Sequence, residues 1–413
     1  MKYGLIGEKI GHSFSPQIHR MLASYEYQLR PVPRDGLEHF INSRDFCGLN
    51  VTIPYKKAVM PFCDHIDPDA VEIGSVNTLV VKNGRLYGYN TDIQGFICMV
   101  ERSGIPFEGK KIIILGTGGT AMTAQAAAKK LGAGEIVLIS RTGENNYSNL
   151  SRYADADVLV NTTPMGMYPN CGKSPVDLRL FPKLSGVLDV IYNPLKTALL
   201  LEAERLGLPC SGGLPMLVVQ AKASAELFTG EKITDAKIEE VISALRRLMS
   251  NIVLIGMPGS GKSTLGKTLA QELGKKFVDT DEEIAARAGM SIPEVFTRHG
   301  EEHFRQLESE VISDFGKETG YVIATGGGCV LRDENYLPLR QNGMVIYITR
   351  PLKELPTDGR PLSQAGSLEE MFKARRPRYE LFADAAVDNC GDLAQTVDKA
   401  IEVYYENIGD KRP

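Results

Sequence analysis

Apolar residues recur along this chain in short runs that end at glycine-rich turns. Lys111–Leu115 runs into Gly116, Ile252–Ile255 into Gly256, and Tyr321–Ala324 toward Gly326. Further apolar runs fall at Glu135–Ile139, Val158–Val160, Val187–Ile191 and Met344–Ile348. Short runs without polar alternation predict strands covered on both faces. Between them the spacing becomes helical, over Ala121–Leu131, Asp235–Leu248 and Ser263–Leu273. In the second of these, Ile238, Val241, Ile242, Leu245 and Leu248 share one face. Strands alternating with helices predict an α/β chain built on doubly wound parallel sheets. No internal repeat or low-complexity segment interrupts the pattern.

The same pattern predicts the domain organisation. The helix Asp235–Leu248 is followed almost at once by the strand at Asn251, with no Gly/Ser/Pro linker. A boundary at 249–250 is therefore expected, with the two halves held in a limited range of orientations. Residues 1–107 precede the strand at Lys111 and leave room for a substrate lobe. A Rossmann-type nucleotide lobe over 108–249 comes next, its last helices returning toward the substrate lobe, and then a P-loop domain over 250–413. Two or three domains also suit 413 residues, since domains run to roughly 100–200.

Composition narrows the class. Hydrophobic residues at 43% and charged residues at 24% are an ordinary globular balance. A net charge of −4 argues against nucleic acid or a membrane surface as the main partner. No run approaches the ~18 apolar residues of a membrane helix. The start, MKYGLIGEKIGHSFS, places glycine and charge where a secretory signal needs an apolar stretch. The seven cysteines are scattered without a C-x-x-C pair, which fits reduced thiols and a cytoplasmic location.

Candidate chemistry is densest in the C-terminal half. Gly256-x-x-x-x-Gly261-Lys262-Ser263 follows an apolar strand and opens a helix, the context a phosphate-cradling loop requires. Backbone N–H groups across Gly259, Ser260 and Gly261, with Lys262, Ser263 and Thr264 behind them, are expected to hold ATP. The Ser263 hydroxyl is positioned to ligate Mg²⁺. Asp279-Thr280-Asp281 ends the next apolar stretch, and two acids there suit a metal carboxylate and a group orienting the acceptor hydroxyl. Arg305, Gly326-Gly327-Gly328, Arg360 and Arg375 come after, basic groups suited to an anionic acceptor and to transferred phosphoryl charge. His299 and His303 stand four apart, but Gly300 replaces the glutamate a metalloprotease motif needs and no third ligand stands out, so no zinc is expected there.

The set GMPGSGKST, DTD, GEEHFR, ATGGG, GRPL and RRPRY, in this order, closely resembles shikimate kinase from Asn251 to about Asp392. The resemblance implies that Asp279 helps hold Mg²⁺ and that Asp281 orients the shikimate hydroxyl as base. It implies that Arg305, Gly327 and Arg375 bind shikimate, the two arginines through its carboxylate. Arg360 would contact the phosphates from a lid. The lid segment RPLKELPTDGR is shorter than the family's and poor in basic residues for adenine.

In the N-terminal half, Gly116-Thr117-Gly118-Gly119-Thr120-Ala121 follows a strand and opens an Ala-rich helix, a dinucleotide fingerprint. The second strand ends in Ser140-Arg141-Thr142 rather than an acid, and a guanidinium with hydroxyls suits the 2′-phosphate of NADP. Lys56 in NVTIPYK and Asp92 in YNTD supply an ammonium and a carboxylate able to exchange a proton with an alcohol oxygen. HSFSP, NVTIPYK, GSVNTL, YNTD, GTGGTA, SRT, NTTPMGM, DVIYNP and GGLPMLVVQA follow the order seen in shikimate dehydrogenase, from Lys2 to about Leu248. By that resemblance Lys56 is the acid/base residue, assisted by Asp92. Ser13, Ser15, Thr52, Asn77, Asp92, Tyr192 and Gln220 would bind shikimate, the two serines favouring it over quinate. Gly116, Thr117, Gly118, Gly119, Thr120, Ser140, Arg141, Thr142, Val190 and Gly213 would contact NADP. The family carries Asn where Ser140 stands and a further base soon after Thr142; here GENNYSN stands instead, and one βα unit is truncated.

Together the halves imply a bifunctional enzyme of aromatic amino-acid precursor synthesis. The first reduces 3-dehydroshikimate with NADPH and the second phosphorylates shikimate with ATP and Mg²⁺, as a monomer or homodimer. Two alternatives stand beside this. Either one half alone is catalytic and the other a ligand-binding regulatory module, or a quinate/shikimate dehydrogenase is fused to a kinase for another small polyol.

Overall fold

The computed structural model describes residues 2–11, 13–355 and 368–410, and spatial contacts gather them into two compact units. Residues up to 167, 173–193 and 202–242 form the first; 168–172, 194–201 and residues from 243 onward form the second.

The first unit contains two sheets. Its N-terminal sheet uses β1 (Tyr3–Gly7), β2 (Tyr27–Pro31), β3 (Gly48–Val51), β4 (His65–Ile66), β5 (Thr78–Lys82) and β6 (Arg85–Tyr89), in the order β2-β1-β3-β5-β6-β4. It is mixed: β1 pairs in parallel with β2 and β3, while β5 runs antiparallel to both β3 and β6. The β5–β6 hairpin turns at Asn83-Gly84, where φ is 51° and 73°, the left-handed pair that matches strand twist.

The second sheet comprises β7 (Lys111–Leu115), β8 (Glu135–Ile139), β9 (Val158–Asn161), β10 (Gly186–Asp189) and β11 (Cys210–Ser211). All are parallel, in the order β11-β10-β9-β7-β8. Ile112, Ile114, Val158, Val160 and Leu188 pack against Ala121, Ala124 and Ala127 of the helix Gly119–Lys130 and against Phe96 and Met99 of the helix Asp92–Ser103. The alanine face lets that helix lie close on the sheet. A full dinucleotide lobe places a further strand beyond the second. Here β8 ends the sheet, and 140–157 holds a 3₁₀ helix, Tyr147–Tyr153, in place of the missing βα unit. The long helix Leu214–Thr229 packs along Asp92–Ser103, and its Phe228 joins Leu5, Tyr27 and Val80 in the core of the N-terminal sheet.

The second unit is built on β12 (Asn251–Ile255), β13 (Lys276–Asp279), β14 (Tyr321–Ala324), β15 (Gly343–Thr349) and β16 (Ala385–Asp388), all parallel, in the order β13-β14-β12-β15-β16. Leu265, Leu269, Ile401 and Tyr404 cover one face; Ile312, Leu339, Tyr379 and Phe382 cover the other. In both parallel sheets the first strand lies between its neighbours, so the chain leaves it in opposite directions and opens a crevice at its C-terminal end.

Phe96 is fully buried, and Phe96→Ala should destabilise the first unit by about 3–5 kcal/mol. Hydrogen exchange over 92–103 and 111–115 should accelerate more than about a hundredfold, with β12 and β15 serving as the reference.

Candidate active sites

In the first unit a cavity of about 250 Å³ lies where the N-terminal sheet meets the ends of the parallel strands. Ser13, Ser15, Thr52, Lys56, Asn77, Asp92, Tyr192 and Gln220 all line it, with Thr120, Val190 and Gly213 from the nucleotide side. Motifs spread over more than half the chain thus converge on one space. Lys56 Nζ lies 2.6 Å from Asp92 Oδ2, both side chains largely buried. Asp92 opens the helix Asp92–Ser103, whose N-terminal amides favour a carboxylate, and its own N–H donates to Asn90 Oδ1 at 3.1 Å. The ammonium is therefore held from one side and free to face the cavity on the other. Ser13 Oγ and Ser15 Oγ are 3.1 Å apart, forming a small hydroxyl pair at the rim. Asn50 and Met216, which stand in NVTIPYK and GGLPMLVVQA without an assigned role, also line this cavity.

The remaining dinucleotide residues sit at the ends of β7 and β8. Gly116 has φ of 116°, and a Cβ there would stand 2.7 Å from Thr162 Oγ1. The turn needs glycine on both counts. Gly118 has nothing within 4 Å of its Cβ position, leaving backbone at Thr117, Gly118 and Gly119 accessible at the head of a helix, a fit for a pyrophosphate. Arg141 and Thr142 are exposed after β8, and Ser140 Oγ hydrogen-bonds back to Thr142 O.

In the second unit a cavity of about 530 Å³ lies at the end of β12. Gly259, Gly261, Lys262, Ser263, Thr264, Asp279, Asp281, Arg305, Gly327 and Arg375 line it, while the Ser260 side chain is buried behind the loop. Arg360 lies outside the described residues. Lys262 Nζ reaches across its own loop to Gly256 O at 3.0 Å and Met257 O at 2.9 Å, at the first turn of the helix Lys262–Leu273. Ser263 Oγ and Asp279 Oδ2 are 2.5 Å apart. That hydroxyl and carboxylate are the hard oxygen pair a magnesium ion takes. Asp279 also caps the next helix through Asp281 N at 3.0 Å, which fixes Asp281 in its first turn.

Close approach explains the glycine triplet. A Cβ at Gly326 would meet Asp281 Oδ1 and Glu308 Oε1 at 2.7 Å each, and one at Gly328 would overlap the Arg305 guanidinium. The Gly327 carbonyl accepts Arg375 Nη1 at 3.1 Å and also the Tyr379 hydroxyl. Arg305 is bound by Glu308 at 2.7 Å and Glu301 at 3.2 Å. Glu308 is completely buried, and burial raises its carboxyl against the pull of Arg305. Burial likewise pushes Asp281 up to about 6, with Asp279 and Glu308 adding to the rise and Lys262 and Arg305 opposing it. Asp281 Oδ1 and Glu308 Oε1 are buried without a hydrogen-bond partner among the described residues. Two acceptors left open in this way await a hydroxyl donor or a proton. Glu308 carries no motif in the sequence; its one signal is the i, i+3 spacing from Arg305.

Comparison with known proteins matches both regions. Residues 258–405 match the shikimate kinase family and residues 5–79 the substrate binding domain of shikimate dehydrogenase. The NADP(+) shikimate dehydrogenase of Clostridium perfringens (strain 13 / Type A) is 37% identical over 265 residues, 59% of this chain and 98% of that one. A chorismate mutase/shikimate 5-dehydrogenase fusion from Clostridium acetobutylicum superposes with a TM-score of 0.57 at 36% identity, over 59% of this chain and 96% of that chain. Shikimate 5-dehydrogenase from Thermus thermophilus, solved with NADP(H) and shikimate, gives 0.54 at 31% identity over 59% and 99%.

Asp281 provides a direct check. Its carboxyl should titrate near pH 6 by ¹³C NMR, and Glu308→Gln should lower the midpoint by removing one charge that raises it. A raised folded pKa means the folded state binds this proton more tightly. The resulting stability is present below the ordinary carboxyl value and is lost as pH rises through about 6. Asp281→Asn should erase that component from a denaturation series run between pH 4 and 7, taken as a rough window around those values.

Proposed function

We propose, for a chain that belongs to the shikimate dehydrogenase family and ends in a shikimate kinase domain, that its two sites act in succession on one small molecule. The first site reduces 3-dehydroshikimate to shikimate and the second converts shikimate to shikimate 3-phosphate. We place the functional boundary at 249–250, between the helix Asp235–Met249 and β12. What carries the reading is the pairing of two complementary pockets: Lys56–Asp92 amid hydroxyl and amide groups, and Asp281 amid Arg305 and Arg375.

NADPH, when bound along Gly116 to Thr120, supplies the hydride. Lys56 gives a proton to the ketone oxygen as it becomes the alcohol, and Asp92 at 2.6 Å holds the ammonium in line. Ser13, Ser15, Thr52, Asn77, Tyr192 and Gln220 orient the ring by hydrogen bonds to its hydroxyls and carboxylate. Ser140, Arg141 and Thr142 would hold the 2′-phosphate of NADP, and Val190 and Gly213 would also contact the cofactor.

In the kinase site ATP supplies the phosphoryl group. Gly259 to Thr264 hold its phosphates, and Ser263 with Asp279 would hold Mg²⁺. Asp281 accepts the proton of the attacking hydroxyl, which is why a carboxyl poised near neutrality suits the position. Arg305 and Arg375 take the shikimate carboxylate, Gly327 supports the ring, and Lys262 and Arg360 stabilise the transferred charge. No helix of the described residues is long and apolar enough to cross a membrane, and a cytoplasmic setting, with its supply of NADPH and ATP, fits both steps.

A coupled assay from 3-dehydroshikimate, NADPH and ATP should yield shikimate 3-phosphate, and absence of that product would end the bifunctional reading. Lys56→Ala should cut dehydrogenase turnover by roughly 10²–10⁴-fold and spare the kinase; Lys262→Ala should do the reverse. An intact pair of activities in either variant refutes the role given to that lysine. Arg141→Ser should reduce kcat/KM for NADP by about tenfold or more while leaving that for NAD nearly unchanged.

A further inference from the structure

The phosphate loop of the second unit contains one peptide whose plane the loop's own backbone bonds leave open. Ser260 N donates to Met257 O at 3.1 Å and Leu265 N to Gly261 O at 3.0 Å, which holds the peptides before and after the Ser260–Gly261 link. The link itself is not held in this way. No backbone N–H donates to Ser260 O among the described residues. Gly261 has φ of 93°, and glycine crosses between positive and negative φ at little cost, so it does not select the plane of the preceding peptide. Rotation of that one planar unit would exchange the directions of Ser260 O and Gly261 N–H with both flanking bonds intact.

Asn389 selects it. This residue comes directly after β16, and its N–H donates to Thr349 O at 2.9 Å, which anchors its backbone to the end of β15. Its Nδ2 donates to Ser260 O at 2.7 Å. A carbonyl only accepts, so the amide has one orientation here, whichever way the Thr396 hydroxyl turns at 3.3 Å from Asn389 Oδ1. Packing agrees with the bond: a Cβ at Gly261 would overlap the Asn389 amide nitrogen. The glycine before Lys262 is thus needed for its φ and for the space this side chain takes. Gly261 lines the phosphate cavity, and Asn389 stands outside that lining. Carbonyl and N–H of a trans peptide point in opposite directions, so holding Ser260 O toward Asn389 turns Gly261 N–H toward the cavity.

We propose that Asn389 is a positioning residue of the kinase, holding the Ser260–Gly261 peptide so that Gly261 N–H faces the nucleotide phosphates. This rests on the reading of Gly259 to Thr264 as the ATP phosphate site. Asn389 acts through the Ser260 carbonyl and not on the nucleotide directly. It lies 129 residues beyond Ser260 and outside every motif quoted for this domain. Without it the peptide is free to turn, and a carbonyl oxygen then faces the phosphates where a donor stood. Exchanging a donor for an acceptor beside an anion weakens nucleotide binding before and during transfer alike, so the cost falls on KM and not on kcat.

The test is steady-state kinase kinetics on the full chain. Asn389→Leu keeps the outline of the side chain without donor or charge. It should raise KM for ATP about tenfold, with kcat changed less than about threefold and KM for shikimate unmoved. Asn389→Gln, which keeps the amide on a longer arm, should recover part of the loss. If Asn389→Leu does not accumulate folded, Asn389→Asp keeps shape and polarity and puts an acceptor in place of the donor. It should give the same KM rise at high salt, where a simple charge effect is screened. Lys262→Ala separates the two layers. If it leaves kinase kcat and KM for ATP unchanged, the loop is not the phosphate site and the proposal falls with that reading. If it impairs the kinase while neither Asn389→Leu nor Asn389→Asp raises KM for ATP, the positioning role is wrong and the phosphate site stands. A fall in kcat alone in the Asn389 variants, with KM for ATP intact, marks a structural role and also overturns the proposal.

Discussion

Strands of a parallel sheet all end on one side, and both sites depend on that constraint. At the end of the first strand of each sheet, backbone N–H groups, a helix N-terminus and the neighbouring strand ends open on the same crevice. Anion-binding capacity is therefore present before any side chain is chosen. What the side chains add is selection: Lys56 with Asp92 at one crevice, and Asp281 with Arg305 and Arg375 at the other. Glycines at Gly116 and Gly326 to Gly328 result from the same crowding, because neighbouring side-chain or backbone atoms occupy the volume a Cβ would fill.

Charge in these crevices is stabilised in two distinct ways. Asp92 sits at a helix start and against Lys56, so opposite charges settle each other at the cavity wall. Asp281 is pushed toward its neutral form by burial and by two nearby carboxylates, and is only partly rescued by Lys262 and Arg305. The first arrangement orients the Lys56 side chain toward the cavity. The second makes the Asp281 carboxylate a stronger base than an ordinary one. Arg305 is meanwhile engaged by an exposed glutamate, Glu301, and by the fully buried Glu308.

The two parallel sheets and most pocket residues were legible in the sequence, and the reasons are local. Isoleucine-rich runs ending in glycine mark buried parallel strands, and GxxxxGKS or GTGGTA fixes the turn and helix that come after them. The N-terminal sheet left no such trace. β4 is two residues long, β2 is mostly exposed, and the pairings join distant segments; only Asn83-Gly84 announces its hairpin. Glu308 looks like any acid on a charged helix, and only its complete burial beside Arg305 sets it apart. Asn50 and Thr91 stand in the NVTIPYK and YNTD motifs, but nothing in the sequence marks that they meet Ser224 from a separate helix.

The missing βα unit beyond β8 has a different kind of significance. A sheet is like a row of planks: an outer one can be taken away and the rest still stand, whereas removing an inner one splits the floor. Here the loss falls at the outer position, so β7, β9 and the crevice between them keep their neighbours. The lobe therefore keeps the strands on either side of its crevice although the outer βα unit is absent, and the shortened stretch starts at Ser140 to Thr142, away from Lys56 and Asp92.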